Sequence, residues 1–235
     1  MKIEIWSDVM CPFCYIGKRK FETALAKFDN KNNIEIIWKS FQLAPDMLTQ
    51  PDKNIHQFLA EHKGMSLDKA KEMNDYVTNL ARLVGLTYDF DKAIPANSFK
   101  AHQFLHLAKQ FGLQEQAEEA MFQAYFTEGK NIDDIDTLVK MGGALGLNQE
   151  GTRKALENNE YANDVSEDID EARQLGVNGV PFFVFDRKVA ISGAQESSVF
   201  LDTIEKTFAE WRKQNPDVKL EIIDGKSCEI GEDCN

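Results

Sequence analysis

The stretch Met1–Phe28, MKIEIWSDVMCPFCYIGKRKFETALAKF, decides the fold. Ile3, Ile5 and Trp6 form a short β-forming run, Ser7 and Asp8 end it, and Cys11-Pro12-Phe13-Cys14 follows. Beyond the second cysteine, apolar residues recur at helical spacing. The stretch therefore reads as strand, loop, thiol pair and helix. If the helix opens at the first thiol, Pro12 takes the first helical position, where its fixed φ fits and the missing N–H would have had no partner. Cys11 then lies at the cap and Cys14 in the first turn. At that separation a disulfide opens and closes with little backbone movement. Free amides and the positive end of the helix dipole stabilise a thiolate at Cys11 more than at Cys14. One sulfur attacks and the other resolves.

A Cys-x-x-Cys pair also serves zinc sites and arises by chance. A tetrathiolate zinc site would have to recruit Cys228 and Cys234, whose separation is not a usual ligand spacing, so no metal is expected. A permanent structural disulfide is also disfavoured. The first residues read as a strand with alternating charge, not as a basic region leading into an apolar secretory core. A reducing, cytoplasmic setting is expected, where lasting crosslinks are rare. Between a strand and a helix, the redox reading of the pair leads.

Composition narrows the class. With 235 residues, 43% hydrophobic and 16 Phe, the chain suits one domain or a small domain carrying a large insertion. No apolar run approaches the roughly 20 residues that cross a bilayer, so a soluble protein is expected. A net charge of -12 argues against nucleic acid or an anionic membrane as partner.

After the first helix, Ile34–Phe41 is a second β-like run, giving strand, helix and parallel strand. From Ala44 to about Asn159 no strand is evident. Helical spacing recurs over Asn54–Lys63, Ser66–Leu83, Ser98–Gln110, Leu113–Glu128, Ile135–Leu145 and Gln149–Leu156, with stops such as Gly64, Gly85, Gly112 and Gly146. Ser66 reads as a cap, and Asp133 or Asp134 as the start of a later helix. Ala162–Leu175 is a further helix, Gly179–Phe185 a turn feeding a buried strand, and Lys188–Ile191 its hairpin partner across an Asp186-Arg187 turn. Gln195–Lys213 is the last helix. The polar tail holds one β-like run, Lys219–Ile223, and the second cysteine pair.

On these residues the chain resembles the DsbA family of thioredoxin-fold proteins. The marks are Cys11-Pro12-Phe13-Cys14, the helical block after the second strand, and Gly179-Val180-Pro181-Phe182-Phe183. Ser7-Asp8-Val9-Met10-Cys11-Pro12, Phe41-Gln42-Leu43, Asn97-Ser98-Phe99-Lys100-Ala101-His102 and Ile191-Ser192-Gly193-Ala194-Gln195 are similar to its cytoplasmic FrnE-like branch. Chromene-carboxylate isomerases and kappa-class glutathione transferases are relatives that carry Ser where Cys11 stands. The expected fold is α/β: a thioredoxin fold with a large all-helical insertion between the second strand and the third core element. The expected division is 1–44 and 160–214 for the thioredoxin-like domain, 45–159 for the helical insertion and 215–235 for a tail.

The resemblance implies that Pro181 follows a cis peptide bond and lies against the cysteines, as part of the catalytic set Cys11, Cys14 and Pro181. A proline there removes a donor from the strand start, and Val180 can offer its backbone to a substrate chain lying alongside. Taken from the residues alone, the lesser alternative is that Pro181 merely ends a turn. Pro12, Phe13 and Met10 flank the reactive sulfur as apolar contacts for a client. By the resemblance, Asn97 and His102 belong to the insertion surface facing the thiols and are candidates for shaping a substrate cleft.

Phe13 supplies no charge between the thiols, whereas strong oxidants of the family tend to carry His there. A reductase or isomerase poise is therefore expected. Lys18, Arg19 and Lys20 read as a solvated face. Asp8 reads as a loop anchor or an ordinary turn former. His102 and His106 are one turn apart without a third ligand, and read as one surface and one packed histidine. Cys228 and Cys234 form a candidate secondary redox pair.

The leading function is thiol-disulfide exchange with protein or peptide thiols through a redox-active Cys11–Cys14 disulfide. No bound cofactor is expected, and glutathione is a candidate thiol donor. A glutathione-dependent isomerase or transferase, or a redox-sensing client-binding chaperone, are the alternatives. The oligomeric state, monomer or homodimer, is open.

Overall fold

The computed structural model of the protein describes residues 1–216. Strand β1 (Lys2–Ser7) leads into helix α1 (Pro12–Ala26), a 3-10 turn at Lys31–Asn33 and strand β2 (Glu35–Ser40). Seven helices follow: α2 (Ile55–Lys63), α3 (Leu67–Leu83), α4 (Phe99–Gln110), α5 (Gln114–Phe126), α6 (Ile135–Ala144), α7 (Gln149–Glu157) and α8 (Ala162–Gln174). Strands β3 (Phe182–Phe185) and β4 (Val189–Ser192) and helix α9 (Ser197–Gln214) complete the described chain. The sheet order is β2-β1-β3-β4, with β1 parallel to β2 and antiparallel to β3, and β4 antiparallel to β3. Lys219–Ile223, Cys228 and Cys234 lie outside the described residues.

β1 is central and buried on both faces. Ile3 and Ile5 pack with Phe21 of α1, with Phe183 and Phe185 of β3, and with Phe200 and Ile204 of α9. On the opposite face Trp6 and Val184 meet Ala172 of α8. The alternation within β1 and β3 thus sends successive side chains into two separate cores. The β3–β4 turn is made by Asp186 and Arg187, both at positive φ (48° and 55°), the hand that matches strand twist.

The largest apolar cluster belongs to the helical block and includes Phe104, Met121, Phe122, Tyr125 and Phe126. Val9, Cys11, Cys14, Tyr15 and Ile16 belong to the same cluster. The thiol pair therefore sits where the insertion closes over the start of α1. Caps follow the expected chemistry: Ser66 Oγ accepts from Lys69 N, and Asp134, rather than Asp133, caps α6. Asp133 instead accepts from Thr49 and Lys100.

Two expectations are corrected. Lys18 is not on a solvated face: it exposes 2% of its surface and pairs with Glu22 and with Glu119 of α5. Arg19 joins Glu22 and Glu119, and Lys20 pairs with Glu196. Lys18 falls four residues after Cys14 and three before Phe21, on the apolar stripe of α1, so its ammonium is buried and must be paired. His102 and His106 are both buried. His106 Nε2 lies 3.0 Å from Asp168 Oδ2 and 3.1 Å from Ser40 Oγ, while His102 Nε2 lies 3.5 Å from Asp8 Oδ1.

Candidate active site

Cys11 is the N-cap of α1, extended at φ -86° and ψ 112°, and Pro12 opens the helix. Cys14 N donates to Cys11 O at 3.0 Å, closing the first turn. Both cysteines are free thiols, exposing 4% and 1% of their surface. Cys11 Sγ donates to Val180 O at 3.5 Å, and the Val180–Pro181 peptide bond is cis. Burial, followed by the neighbouring Cys11, pushes the Cys14 thiol well above the ordinary cysteine range. Cys14 is thereby held as a thiol until a base or a disulfide approaches it.

Three supports hold this arrangement. Asp8, fully buried, accepts from Met10 N at 3.3 Å and from Leu43 N at 2.8 Å, and its carbonyl accepts from Cys11 N at 2.9 Å. The aspartate therefore ties the thiol loop to the segment after β2, which is the loop-anchor role. Tyr88 OH, from the connection between α3 and α4, donates to Pro12 O at 2.7 Å, and its ring stacks on Tyr15 and Phe126. Burial first, then the nearby Cys11, raises the Tyr88 phenol, so it remains a donor. Gly17, one turn past Cys14, lets the Pro181 ring lie directly on α1.

A β-carbon at Gly17 would stand 2.9 Å from Pro181 Cγ and 3.5 Å from Ala194 Cβ and Phe183 Cζ. Gly17→Ala gains helix propensity of about 1 kcal/mol but overpacks this contact. A net loss of about 1–2 kcal/mol in urea unfolding is expected. An unchanged or raised midpoint would show that the Pro181 loop moves aside freely.

Of the other expected site residues, Phe13 is exposed, and Pro12, Met10 and Val180 are half-buried around the cysteines. Asn97 is used structurally: its Nδ2 donates to Pro45 O and Met47 O, and its Oδ1 accepts from Gln42 and from Phe99 N. It lines a groove of about 500 Å³ with Gln42, Thr49, Lys100 and Asp133, and neither cysteine lines that groove. His102 is buried beneath the Asp8 loop rather than on a cleft surface. Sequence reasoning did not pick out Tyr88, Gly17 or Glu118. Glu118 carried a usable signal, since it lies three and four residues before Met121 and Phe122 on the apolar stripe of α5.

The family model described as DSBA-like thioredoxin domain matches residues 2–205. The chain belongs to the DSBA-like thioredoxin family. Among solved structures, it is similar to "probable DsbA oxidoreductase SCO1869" of Streptomyces coelicolor, with 34% identity and a TM-score of 0.83 over 98% of this chain and 97% of that one. The cytosolic disulfide reductase DsbM of Pseudomonas aeruginosa shares the fold, at 17% identity and a TM-score of 0.60 over 92% of this chain and 98% of that one. A curated relative, the uncharacterized protein YwbO of Bacillus subtilis (strain 168), is 28% identical over 90% of this chain and 98% of its own. DSBA-like domains are generally oxidoreductases that use a redox-active cysteine pair rather than a bound cofactor. No helix among the described residues is long and apolar enough to cross a membrane, and no cluster of three or more potential metal ligands occurs among them.

Proposed function

We propose that the protein is a thiol-disulfide oxidoreductase acting on protein or peptide thiols in the cytoplasm, with Cys11 as nucleophile and Cys14 as resolving thiol. One observation carries this reading: Cys11 caps a helix N-terminus with its sulfur facing the Val180 carbonyl, while Cys14 is buried one turn below with its thiol pushed up. The asymmetry supports attack by Cys11 and resolution by Cys14. In the reducing direction, Cys11 thiolate attacks a substrate disulfide and forms a mixed disulfide. Cys14 thiolate then attacks Cys11 Sγ, releasing the second substrate thiolate and leaving Cys11–Cys14 oxidised.

A thiol donor must return the pair to the dithiol. Glutathione is the proposed donor, in keeping with the DsbM neighbour, which was also solved with GSH. Val180 and Pro181, with Met10, Pro12 and Phe13, form the proposed contact surface for the substrate chain, and the exposed Phe13 ring gives it an apolar element. Residues 1–44 and 160–214 form the proposed thioredoxin-like unit and 45–159 the insertion. Cys228 and Cys234 form a proposed secondary redox pair. A disulfide between Cys11 and the tail, trapped in Cys14→Ala under oxidising conditions, is the result that supports it, and its absence counts against it.

The decisive measurement is the reduction potential of Cys11–Cys14 in the full chain with Cys228 and Cys234 replaced by Ser. A value between about -200 and -270 mV, rather than about -120 mV, is expected for a reductase or isomerase poise. A pair that reduces no insulin disulfide and equilibrates with no glutathione buffer overturns the reading. A glutathione-dependent isomerase would give that outcome. Suppression of client aggregation that survives Cys11→Ser would instead favour the chaperone.

A further inference from the structure

Tyr88 reaches the thiol turn from the connection between α3 and α4, and its hydroxyl donates to Pro12 O at 2.7 Å. The residue is buried, and its ring is held on three sides. It stacks on Phe126 with ring centres 4.6 Å apart and on Tyr15 at 6.1 Å, and meets Phe90 edge-on at 5.6 Å. Burial disfavours the phenolate, so the group is a neutral donor at neutral pH. Packing on this scale leaves the hydroxyl aimed at one carbonyl.

That carbonyl belongs to the peptide group between the two cysteines. The Pro12–Phe13 peptide is trans, so its C=O and N–H point in opposite directions. Tyr88 holds the oxygen, and the Phe13 N–H faces the other way, toward the helix N-terminus, where Cys11 is the cap. Of the amides in this first turn, Pro12 has none to offer and Cys14 N already donates to Cys11 O at 3.0 Å. Among the described residues, Phe13 N has no partner. Phe13 stands at the second helical position, from which a backbone N–H reaches the side chain of an N-cap residue.

As a thiol, Cys11 donates to Val180 O at 3.5 Å and makes no cap bond. Once ionised it has no proton to give that oxygen, and the free Phe13 N–H is the donor at cap distance. We infer that Tyr88 is a positioning residue that stabilises the Cys11 thiolate through the Pro12–Phe13 peptide group. Its hydroxyl fixes the plane of that peptide and polarises it, which makes the Phe13 N–H a better donor to the ionised sulfur. Linked hydrogen bonds strengthen one another by about 10–30% each. For a charged acceptor that amounts to roughly a twofold to fourfold change in an equilibrium constant. The inference rests on the disulfide-exchange reading and gives the helical insertion a part in setting the thiol equilibrium.

The test is the redox equilibrium of the full chain, with Cys228 and Cys234 replaced by Ser, in buffers of reduced and oxidised glutathione at neutral pH. The Cys11–Cys14 dithiol gives up two electrons and two protons to form the disulfide, and glutathione disulfide takes them up to become two glutathione molecules. Tyr88→Phe keeps the ring and removes only the hydroxyl. With the thiolate less stabilised, the equilibrium is expected to move about threefold toward the protein disulfide, a potential about 14 mV more negative. The ultraviolet thiolate band of the reduced variant is expected at higher pH than in the parent. Removing a neutral hydroxyl leaves the charges of Asp8 in the thiol loop, Cys14 and Arg19 on α1 and Glu119 on α5 as they are, so both shifts report the hydrogen bond.

A brace with no influence on the sulfur would lower the melting temperature of Tyr88→Phe and leave both readouts where they are in the parent. That result in a folded variant overturns the inference, as does a shift toward the dithiol. Should Tyr88→Phe fail to melt cooperatively, Tyr88→3-fluorotyrosine decides, because it keeps the ring and makes the hydroxyl a stronger donor. A shift toward the dithiol then supports the inference, and an unchanged or opposite one overturns it. A parent protein that does not equilibrate with glutathione at all would instead overturn the disulfide-exchange reading.

Discussion

Cys11→Ser is expected to lower insulin reduction by on the order of a thousandfold or more, because the nucleophile is removed outright and no second group is placed to replace it. Cys14 cannot substitute. It exposes 1% of its surface, and burial pushes its thiol well above the usual range, so its thiolate is scarce and unreachable by a protein disulfide. Serine at position 11 keeps the helix cap and the contact with the Val180 carbonyl, so the thermal transition is expected to stay close to that of the parent. Cys14→Ala is expected to act differently: attack proceeds, but the mixed disulfide accumulates and migrates as a higher-mass species on non-reducing gels. Retention of more than a tenth of the activity in folded Cys11→Ser, with the tail cysteines also replaced, would remove Cys11 from the centre of the mechanism.

Asp168→Ala is expected to cost about 3–5 kcal/mol of stability, the range for opening a buried ion pair from one side. Asp168 is buried, with Oδ1 accepting from Lys39 Nζ at 2.7 Å and Oδ2 from Ser40 N at 2.9 Å, and with His106 Nε2 at 3.0 Å. Its own carbonyl accepts from Trp6 Nε1 at 2.9 Å. The one residue thus joins α8 to β1, β2 and α4. In the alanine variant the Trp6 bond to the backbone carbonyl, His106 to Ser40 Oγ and Lys39 to Glu171 persist. Ser40 N loses its acceptor, and His106 and Lys39 lose their shared carboxylate.

Burial alone would push the Asp168 carboxyl up, but the hydrogen bonds from His106, Lys39 and Ser40 outweigh it and hold it below the ordinary aspartate range. The pH dependence follows in sign. With the folded value depressed, the stabilisation is fully present above the unfolded aspartate value of about 3.9 and fades as pH falls through the folded value. The gap between parent and Asp168→Ala in urea unfolding is therefore expected to be wide at pH 7 and to narrow below about pH 4. A gap under about 1 kcal/mol at neutral pH, typical of an exposed pair, would show that the cluster around Asp168 is not the junction described.

The elements were largely legible because their signals are local. Ile3, Ile5 and Trp6 mark β1, Pro12 marks the first position of α1, and Asn54 and Ser66 cap α2 and α3. Helix boundaries fall within a few residues of those read from spacing, since glycines such as Gly64 adopt the left-handed conformation that ends a helix. The surroundings of the thiols were less legible. Lys18, His102 and Glu118 each sit on the apolar stripe of a helix, a pattern that announces a buried polar group without naming its partner. Tyr88, which holds Pro12 O, lies in a connection where no periodicity operates.

From the order of residues alone came the strand–thiol–helix unit, the asymmetry between Cys11 and Cys14 and the sequence of elements, because backbone preference and side-chain period act over a few residues. Only the tertiary structure decided that Asp8 and Tyr88 brace the thiol turn, that Gly17 admits Pro181, and that Trp38, His102 and Glu118 line one small cavity. Those meetings join residues far apart in the chain. The cost of leaving a buried charge or hydrogen-bonding group unpaired is settled where helices and sheet close on one another, a place no local spacing specifies.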